Sequence, residues 1–264
     1  MAKAQARTKL TVVPKAPPKK TPRRSVLSDE IHDMIKVMIF SHEIAPGQRV
    51  NIDALALRLE VSQTPIREAL ARLESEGLIE KEPLKGFSAT PLLTLKQFND
   101  LFQFRLLIEP WAAEEAAKNI DSIGAAALKA EMHSAQTALK FKDFDQVEAL
   151  TEHDARFHSL IARMSGNQSL LESFERTHCH LHLFRLFVAT KQGLLEPEQR
   201  SKFVQDLFEE YYQSDSGQLA IKQHAEITKA ILAKNSKVAK AAMFKHIESS
   251  LRRYSPAALA IHEG

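Results

Sequence analysis

The chain has 264 residues, 44% of them hydrophobic, with 36 Lys and Arg against 33 Asp and Glu, which is room for two domains with separate cores. Only 8 glycines, amid abundant Ala, Leu, Glu, Lys and Gln, argue against a β-rich design and for a mainly α one. One cysteine, Cys179, excludes an intrachain disulfide framework and a cysteine-only zinc site, and no apolar run approaches the roughly 18 residues of a membrane span.

The net charge of +3 hides an asymmetry. Eight of the basic residues lie between Lys3 and Arg24, and the first acidic residue is Asp29; taking those eight from 36 leaves 28 against 33, a body of −5. Residues 1–25 therefore read as a disordered Pro- and Lys-rich tail, suited to contact phosphates or a minor groove, or merely to solubilise. The tail lacks the apolar centre of a signal peptide, so a soluble protein of a reducing cytoplasm, associated with the nucleoid, is expected.

A first domain spans residues 26–91. Ser28, with Asp29 and Glu30 behind it, is read as the start of a helix whose Ile31, Ile35, Met38 and Ile39 make an apolar stripe. Pro46-Gly47 marks a connection, and a short helix from Ile52 to Leu59 follows. In Val61-Ser-Gln-Thr-Pro-Ile-Arg-Glu-Ala-Leu, the polar cluster Ser62 to Thr64 runs into Pro65, a residue favoured at the first helical position. Ile66, Ala69, Leu70 and Leu73 form one buried face, Arg67 and Arg72 lie off it, and Gly77 stops the helix. Leu78 to Thr90 reads as a hairpin with its tip at Pro83-Leu-Lys-Gly86. Together these make a winged helix-turn-helix: a short helix with an N-terminal polar cluster and an arginine for the major groove, and a wing with Lys85 beside Gly86 for the backbone.

Residues 92–255 read as an all-α helical bundle of six or seven helices, followed by a short tail at 256–264. Breakers fall at Asn119 to Gly124, Lys142-Asp143, Ser165-Gly-Asn167, Gly193 to Pro197, Ser214 to Gly217 and Asn235-Ser236. The stretch from Lys191 to Gly217 is longer than an ordinary connection and reads as a lid or an insertion. Trp111 and the nearby Phe98, Phe102 and Phe104 are assigned to the core rather than to a ligand box.

Asp154 and His158 are one helical turn apart on the same face. His224 and His246 lie on either side of the break at Asn235-Ser236, so an antiparallel hairpin brings them to similar depth. The four offer three imidazoles and one carboxylate with room for a further ligand, a set suited to zinc, nickel or manganese. Spacing alone leaves the alternative that some of the 11 histidines are ordinary core residues, or that His178, His180 or His182 supplies a ligand. His153, about 100° round the helix from Asp154, is left outside the set.

The two halves resemble the GntR family of bacterial transcription regulators, in its FadR-type branch with an FCD effector-binding domain. In the first domain the resemblance rests on Pro46-Gly47, Leu55-Ala56, Val61-Ser62, Thr64 to Leu70, Leu73-Glu74, Gly77-Leu-Ile79 and Gly86. In the second it rests on Arg105-Leu-Leu-Ile-Glu109, Asp154-Ala-Arg-Phe-His158, Ser165-Gly-Asn167, His224 and His246. One departure stands out: Gln63 occupies a position where the family usually has Arg, and Gln pairs with adenine as Arg does with guanine.

The resemblance implies a DNA-binding regulator, read as a repressor, that holds an inverted-repeat operator as a homodimer and is not an enzyme. It implies that Ser62, Gln63, Thr64, Arg67, Lys85 and Gly86 contact DNA and that Asp154, His158, His224 and His246 hold a divalent metal. It further implies that a small organic acid binds at that metal, with Arg105 and Arg163 as its countercharges and Arg185 behind them. The rival readings are a metal-dependent hydrolase, a sensor for which the metal is itself the signal, and a purely structural metal.

Overall fold

Helix α1 runs Arg23–Phe40 and so begins five residues before the expected start. In this computed structural model, which describes residues 23–141, 143–191 and 216–262, the end of the expected tail is thus already helical, and Ser28 is buried inside the helix rather than capping it. No proline or glycine interrupts Arg23 to Leu27, so nothing local prevents the extra turn. Residues 1–22 lie outside the described residues, and the expected tail falls largely on them.

The DNA-reading unit follows the expected order. Helix α2 (Ile52–Arg58) starts at Asn51, whose side chain accepts from the Ala54 N–H at 3.0 Å. Helix α3 (Gln63–Ser75) starts at Gln63, two residues before Pro65; the proline sits within the first turn, where its missing N–H would have had no helical partner anyway. Its Ile66, Ala69, Leu70 and Leu73 are fully buried where α3 packs on α1, in the same core as the buried Ile31, Ile35 and Ile39. Gly77, at φ +75, closes α3: its N–H reaches the Glu74 carbonyl (3.1 Å) and the Leu78 N–H reaches Leu73 (2.9 Å).

Strands β1 (Ile79–Glu82) and β2 (Gly86–Ala89) form the antiparallel wing, with Ile79 opposite Ala89 and Glu82 opposite Gly86. Arg49 adds an isolated bridge to Ser88, tying the segment after α1 to the hairpin. The winged helix-turn-helix and the helical bundle together bear out a mainly α chain with one small sheet.

Among the described residues the second domain has seven helices: α4 (Leu95–Asn119), α5 (Ser122–Ala138), α6 (Asp143–Met164), α7 (Gln168–Arg176), α8 (Cys179–Lys191), α9 (Ser216–Leu232) and α10 (Ser236–His262). Thr94 and Gln97 form a capping box at α4, and Asp121 and Asn167 cap α5 and α7. The longest helices, α4 and α10, pack along each other. The residues expected to be a C-terminal tail from 256 instead continue α10, because Ala257 and Ala258 are buried against the core. Phe98 and Phe102 are core as expected. Trp111 is not: it is 37% exposed, in an apolar groove between α4 and α10. The expected lid or insertion from Lys191 to Gly217 lies outside the described residues except at its ends, where Lys191 closes α8 and Ser216 and Gly217 open α9.

The domains touch through α8. Phe184 meets Phe40 of α1 edge-on at 4.9 Å, and His178 lies so close to Gly77 that a Cβ there would come within 2.6 Å of its ring. His178 itself is left-handed (φ 44) and makes the break between α7 and α8, a break with no glycine to announce it in the sequence.

Candidate metal centre and nucleic-acid interface

Helices α6, α9 and α10 bring Asp154, His158, His224 and His246 together, with one ligating atom of each within 4.8 Å of all the others. His246 Nε2 is 3.2 Å from both His158 Nε2 and His224 Nε2. Asp154 Oδ1 is 3.2 Å from His224 Nε2 and 3.7 Å from His158 Nε2. Four donors about 2.0–2.1 Å from one ion in tetrahedral geometry lie about 3.4 Å apart, close to the spacing seen here. The three histidines are at most 2% exposed.

The outer partners decide which nitrogen of each ring faces inward. His158 Nδ1 donates to Glu109 Oε2, and His246 Nδ1 donates to Gln223 Oε1 at 2.9 Å. His224 Nδ1 donates to His153 Nε2 at 3.0 Å, whose own Nδ1 donates to Glu131 at 2.8 Å. With every Nδ1 engaged as a donor, each neutral ring turns an Nε2 lone pair toward the same point. Three lone pairs and a carboxylate oxygen converging at hydrogen-bond distance repel one another without a cation. The residues therefore fit a divalent metal, bound through nitrogen and oxygen.

The electrostatics agree with that arrangement. Burial, and then the neighbouring His224 and His158, depress His246 well below the ordinary histidine value; burial holds His224 at about 4 against the opposing pull of Asp154. Both rings are thus neutral and ready to ligate. Burial favours the protonated form of Asp154, but His180 outweighs it and keeps the carboxylate ionised. His180 Nδ1 bonds Asp154 Oδ2 at 2.7 Å, leaving Oδ1 to face the histidines. Phe157 stacks on His224 at 4.0 Å and supplies an apolar wall.

Arg105 enters from α4. Its Nε donates to Glu109 Oε1 at 2.6 Å, and Glu109 reaches on to His158, so guanidinium, carboxylate and imidazole form one buried relay. Against its burial, Arg105 and His158 hold the Glu109 carboxyl at about 2. Arg105 is fully buried, yet its Nη1 and Nη2 have no hydrogen-bond partner among the described residues.

Arg163 is not brought to this site. Nine residues after Asp154 is half a turn out of phase on α6; the side chain is 69% exposed and faces Glu175 at 3.9 Å. Arg185 is also elsewhere, donating to the Thr90 carbonyl at the domain boundary. His178, His180 and His182 supply none of the four clustered ligand atoms, although His180 holds Asp154. The reading of the sequence missed Glu109, Gln223 and His153. Glu109 stands inside the Arg105-to-Glu109 motif; His153, off the Asp154 face of α6, acts from behind His224.

At the other end of the molecule, Ser62, Gln63, Thr64 and Arg67 are all exposed at the N-terminal end of α3. Ser62 is the N-cap residue but makes no side-chain cap bond. Arg67 Nη2 donates to Gln63 Oε1 at 3.3 Å, and Gln63 Nε2 donates to Asp53. Lys85 and Gly86 are exposed at the wing, where Lys85 pairs with Glu82 at 2.5 Å and Gly86 has φ +89. Arg49, exposed beside the wing, is a further basic residue on this side that the sequence reading passed over. Arg72, by contrast, is taken up by Asp29 at 2.5 Å. No helix among the described residues is long and apolar enough to cross a membrane.

Residues 27–88 match the gntR family of bacterial regulatory proteins, and residues 100–249 match the FCD domain. The HTH-type transcriptional regulator YdhC of Bacillus subtilis (strain 168) is 28% identical over 195 residues, covering 74% of this chain and 84% of that protein. The HTH-type transcriptional repressor RspR of Escherichia coli (strain K12) is 27% identical over 149 residues, 56% of this chain and 64% of that one. Among solved structures, McbR/YncC of E. coli shares the fold with a TM-score of 0.55 at 20% identity, covering 86% of this chain and 96% of that one. The chain belongs to the GntR family of bacterial regulatory proteins, joins its DNA-binding head to an FCD domain, and is a transcriptional regulator rather than an enzyme.

Proposed function

We propose that this regulator is a repressor whose DNA affinity is set by a small organic acid bound beside a divalent metal in the FCD domain. The observation that carries this reading is Arg105: a fully buried guanidinium, two of its nitrogens without partners, one carboxylate away from the histidine cluster. A ligand carboxylate would take those nitrogens as a bidentate pair. When bound, the metal would supply a Lewis-acidic coordination position, with Asp154, His158, His224 and His246 as its protein ligands and zinc, nickel or manganese as candidates. That a relative is named a transcriptional repressor supports the sign of regulation.

On DNA, Ser62, Gln63, Thr64 and Arg67 read the major groove, and Lys85 and Gly86 meet the backbone from the wing. A single head reads few base pairs, so an inverted repeat held by a homodimer is the working unit, in the cytoplasm and at the nucleoid. The exposed apolar face of Leu107 (77% exposed), Trp111 and Phe244 between α4 and α10 suits the contact with a second copy. The effector shifts the pose of the heads only by as much as it prefers one pose.

The test uses the metal-loaded full chain, an operator selected from random duplexes, and a panel of two- to six-carbon carboxylic acids. One acid is expected to weaken DNA binding at least tenfold, and Arg105→Met to abolish that response while keeping metal and DNA binding. Operator affinity unchanged with a demonstrated bound acid would overturn the reading. Affinity that follows free zinc with no organic acid present would instead establish a metal sensor.

A further inference from the structure

A second buried polar cluster lies in the seam between head and bundle, away from the histidine site. Arg185 of α8 is 2% exposed; its Nη2 donates to the Thr90 carbonyl, while Nε and Nη1 have no partner among the described residues. One turn earlier on the same helix, His182 Nδ1 is buried without a partner. From the head, His42 Nδ1 is buried and unpartnered as well, on a residue held at φ 56 just after α1. The edge-on contact of Phe40 with Phe184 brings that end of α1 against α8.

The seam also carries an unbalanced charge. No carboxylate among the described residues forms an ion pair with Arg185; Glu80 of the wing acts on it only at longer range. Burial draws Arg185 down to about 10. Burial first, and Arg185 second, lower both His42 and His182, the latter to about 4. A guanidinium taken out of water without a counterion is unfavourable, and so is each buried N–H without an acceptor. Water can satisfy the N–H groups but leaves the charge unopposed.

We infer that this seam is a binding site for a small oxyanion, of phosphate or carboxylate type, held by Arg185, His182 and His42. The chemistry matches. With one Nη2 N–H on Thr90, the guanidinium still offers an oxyanion one bidentate edge, the second Nη2 N–H beside either Nε–H or Nη1–H, and each neutral imidazole can carry its proton on Nδ1 and donate. Because His42 and Thr90 belong to the head side and His182 and Arg185 to the bundle, a bound anion ties the two domains together. This site is independent of the metal and of the organic acid proposed above.

Inorganic phosphate, titrated into the metal-loaded full chain at constant ionic strength against chloride, tests the inference by calorimetry and thermal melting. Sodium acetate in a parallel arm separates a phosphate site from a carboxylate site. The expected result is one equivalent of one of these anions with a saturable rise in Tm. Arg185→Met should abolish it, His182→Phe should weaken it about tenfold or more, and His224→Ala should leave it intact. No saturable response to either anion overturns the inference, as does an equal response in Arg185→Met or a response lost in His224→Ala. If Arg185→Met does not fold, the affinity of His182→Phe decides alone: unchanged binding rejects the site.

Discussion

Among the described residues, two buried polar clusters solve the same problem differently. At the histidine site every candidate ligand is braced from behind: Glu109, Gln223 and His153 each accept from an Nδ1 N–H, and His180 holds the far oxygen of Asp154. In the seam the donors are braced hardly at all; Arg185 has one carbonyl and two vacant nitrogens, and His42 and His182 each leave a ring nitrogen unpaired. A braced cluster fixes tautomer and direction, which a metal requires. An unbraced one keeps its donors available to something that arrives from outside. Pre-organisation and vacancy are thus two separate signs of binding, and they point to ligands of opposite charge.

The largest effect that would break this comparison is at the ligands themselves. The purified wild-type chain should carry about one transition-metal ion, and a His224→Ala, His246→Ala variant none, by elemental analysis. A metal-free wild type prepared without chelator would remove the braced cluster's purpose.

A second pair of variants sets the clusters side by side. Arg105→Met takes the guanidinium from the buried Glu109, leaving the carboxylate only His158, and should cost about 3–5 kcal/mol, as expected when one partner of a buried pair is removed. Arg185→Met strands no carboxylate, so in phosphate-free buffer its stability should stay within about 1 kcal/mol of wild type, or rise. Urea denaturation measures both. Equal losses would mean that Arg185 has a counterion after all.

How much of this was legible in the sequence follows from the same contrast. The winged head was legible because its apolar spacing, Pro65, Gly77 and the hairpin tip are local signals. Asp154 and His158 were legible as one helical face, and His224 with His246 through the break between their helices. The braces were not. Periodicity reports the direction of a side chain on its own helix but not which ring from another helix stands in front of it, and so His153 was excluded. The seam was silent for a related reason. Arg185 and His182 look like ordinary helical residues until His42 and Thr90, 95 positions away for the bonded pair, close over them.

A smaller effect tests whether bracing matters to the metal. His153→Phe keeps an aromatic ring behind His224 but removes the acceptor of its Nδ1 proton. Metal affinity should fall about 10- to 100-fold with stoichiometry preserved, the usual consequence of losing such an outer partner. Competition against a chromophoric chelator measures it. Unchanged affinity would reduce the Glu131–His153–His224 chain to ordinary packing.

The smallest effect is on acid stability, and here each cluster contributes a histidine held near 4: His224 and His182. Burial is the first cause for both, opposed by Asp154 at the one and reinforced by Arg185 at the other. A histidine depressed in the folded chain binds its proton more readily once unfolded, so its contribution is present above about pH 6.5 and declines as the pH falls toward 4. His180 has the opposite sign: against its burial, Cys179 and Asp154 raise it to about 10, so its contribution is full below pH 6.5 and is lost as the pH rises toward 10. Between pH 7 and 6 each depressed histidine should subtract rather less than about 1 kcal/mol from the stability of the metal-free chain. His182→Phe should remove its share of that slope with or without metal. His224→Ala should remove its share only in comparison with metal-free wild type, because bound metal already excludes the proton from that ring. A pH slope from His182 that vanished on metal loading would show that the two clusters are coupled, and the comparison would have to be redrawn as one site with two ends.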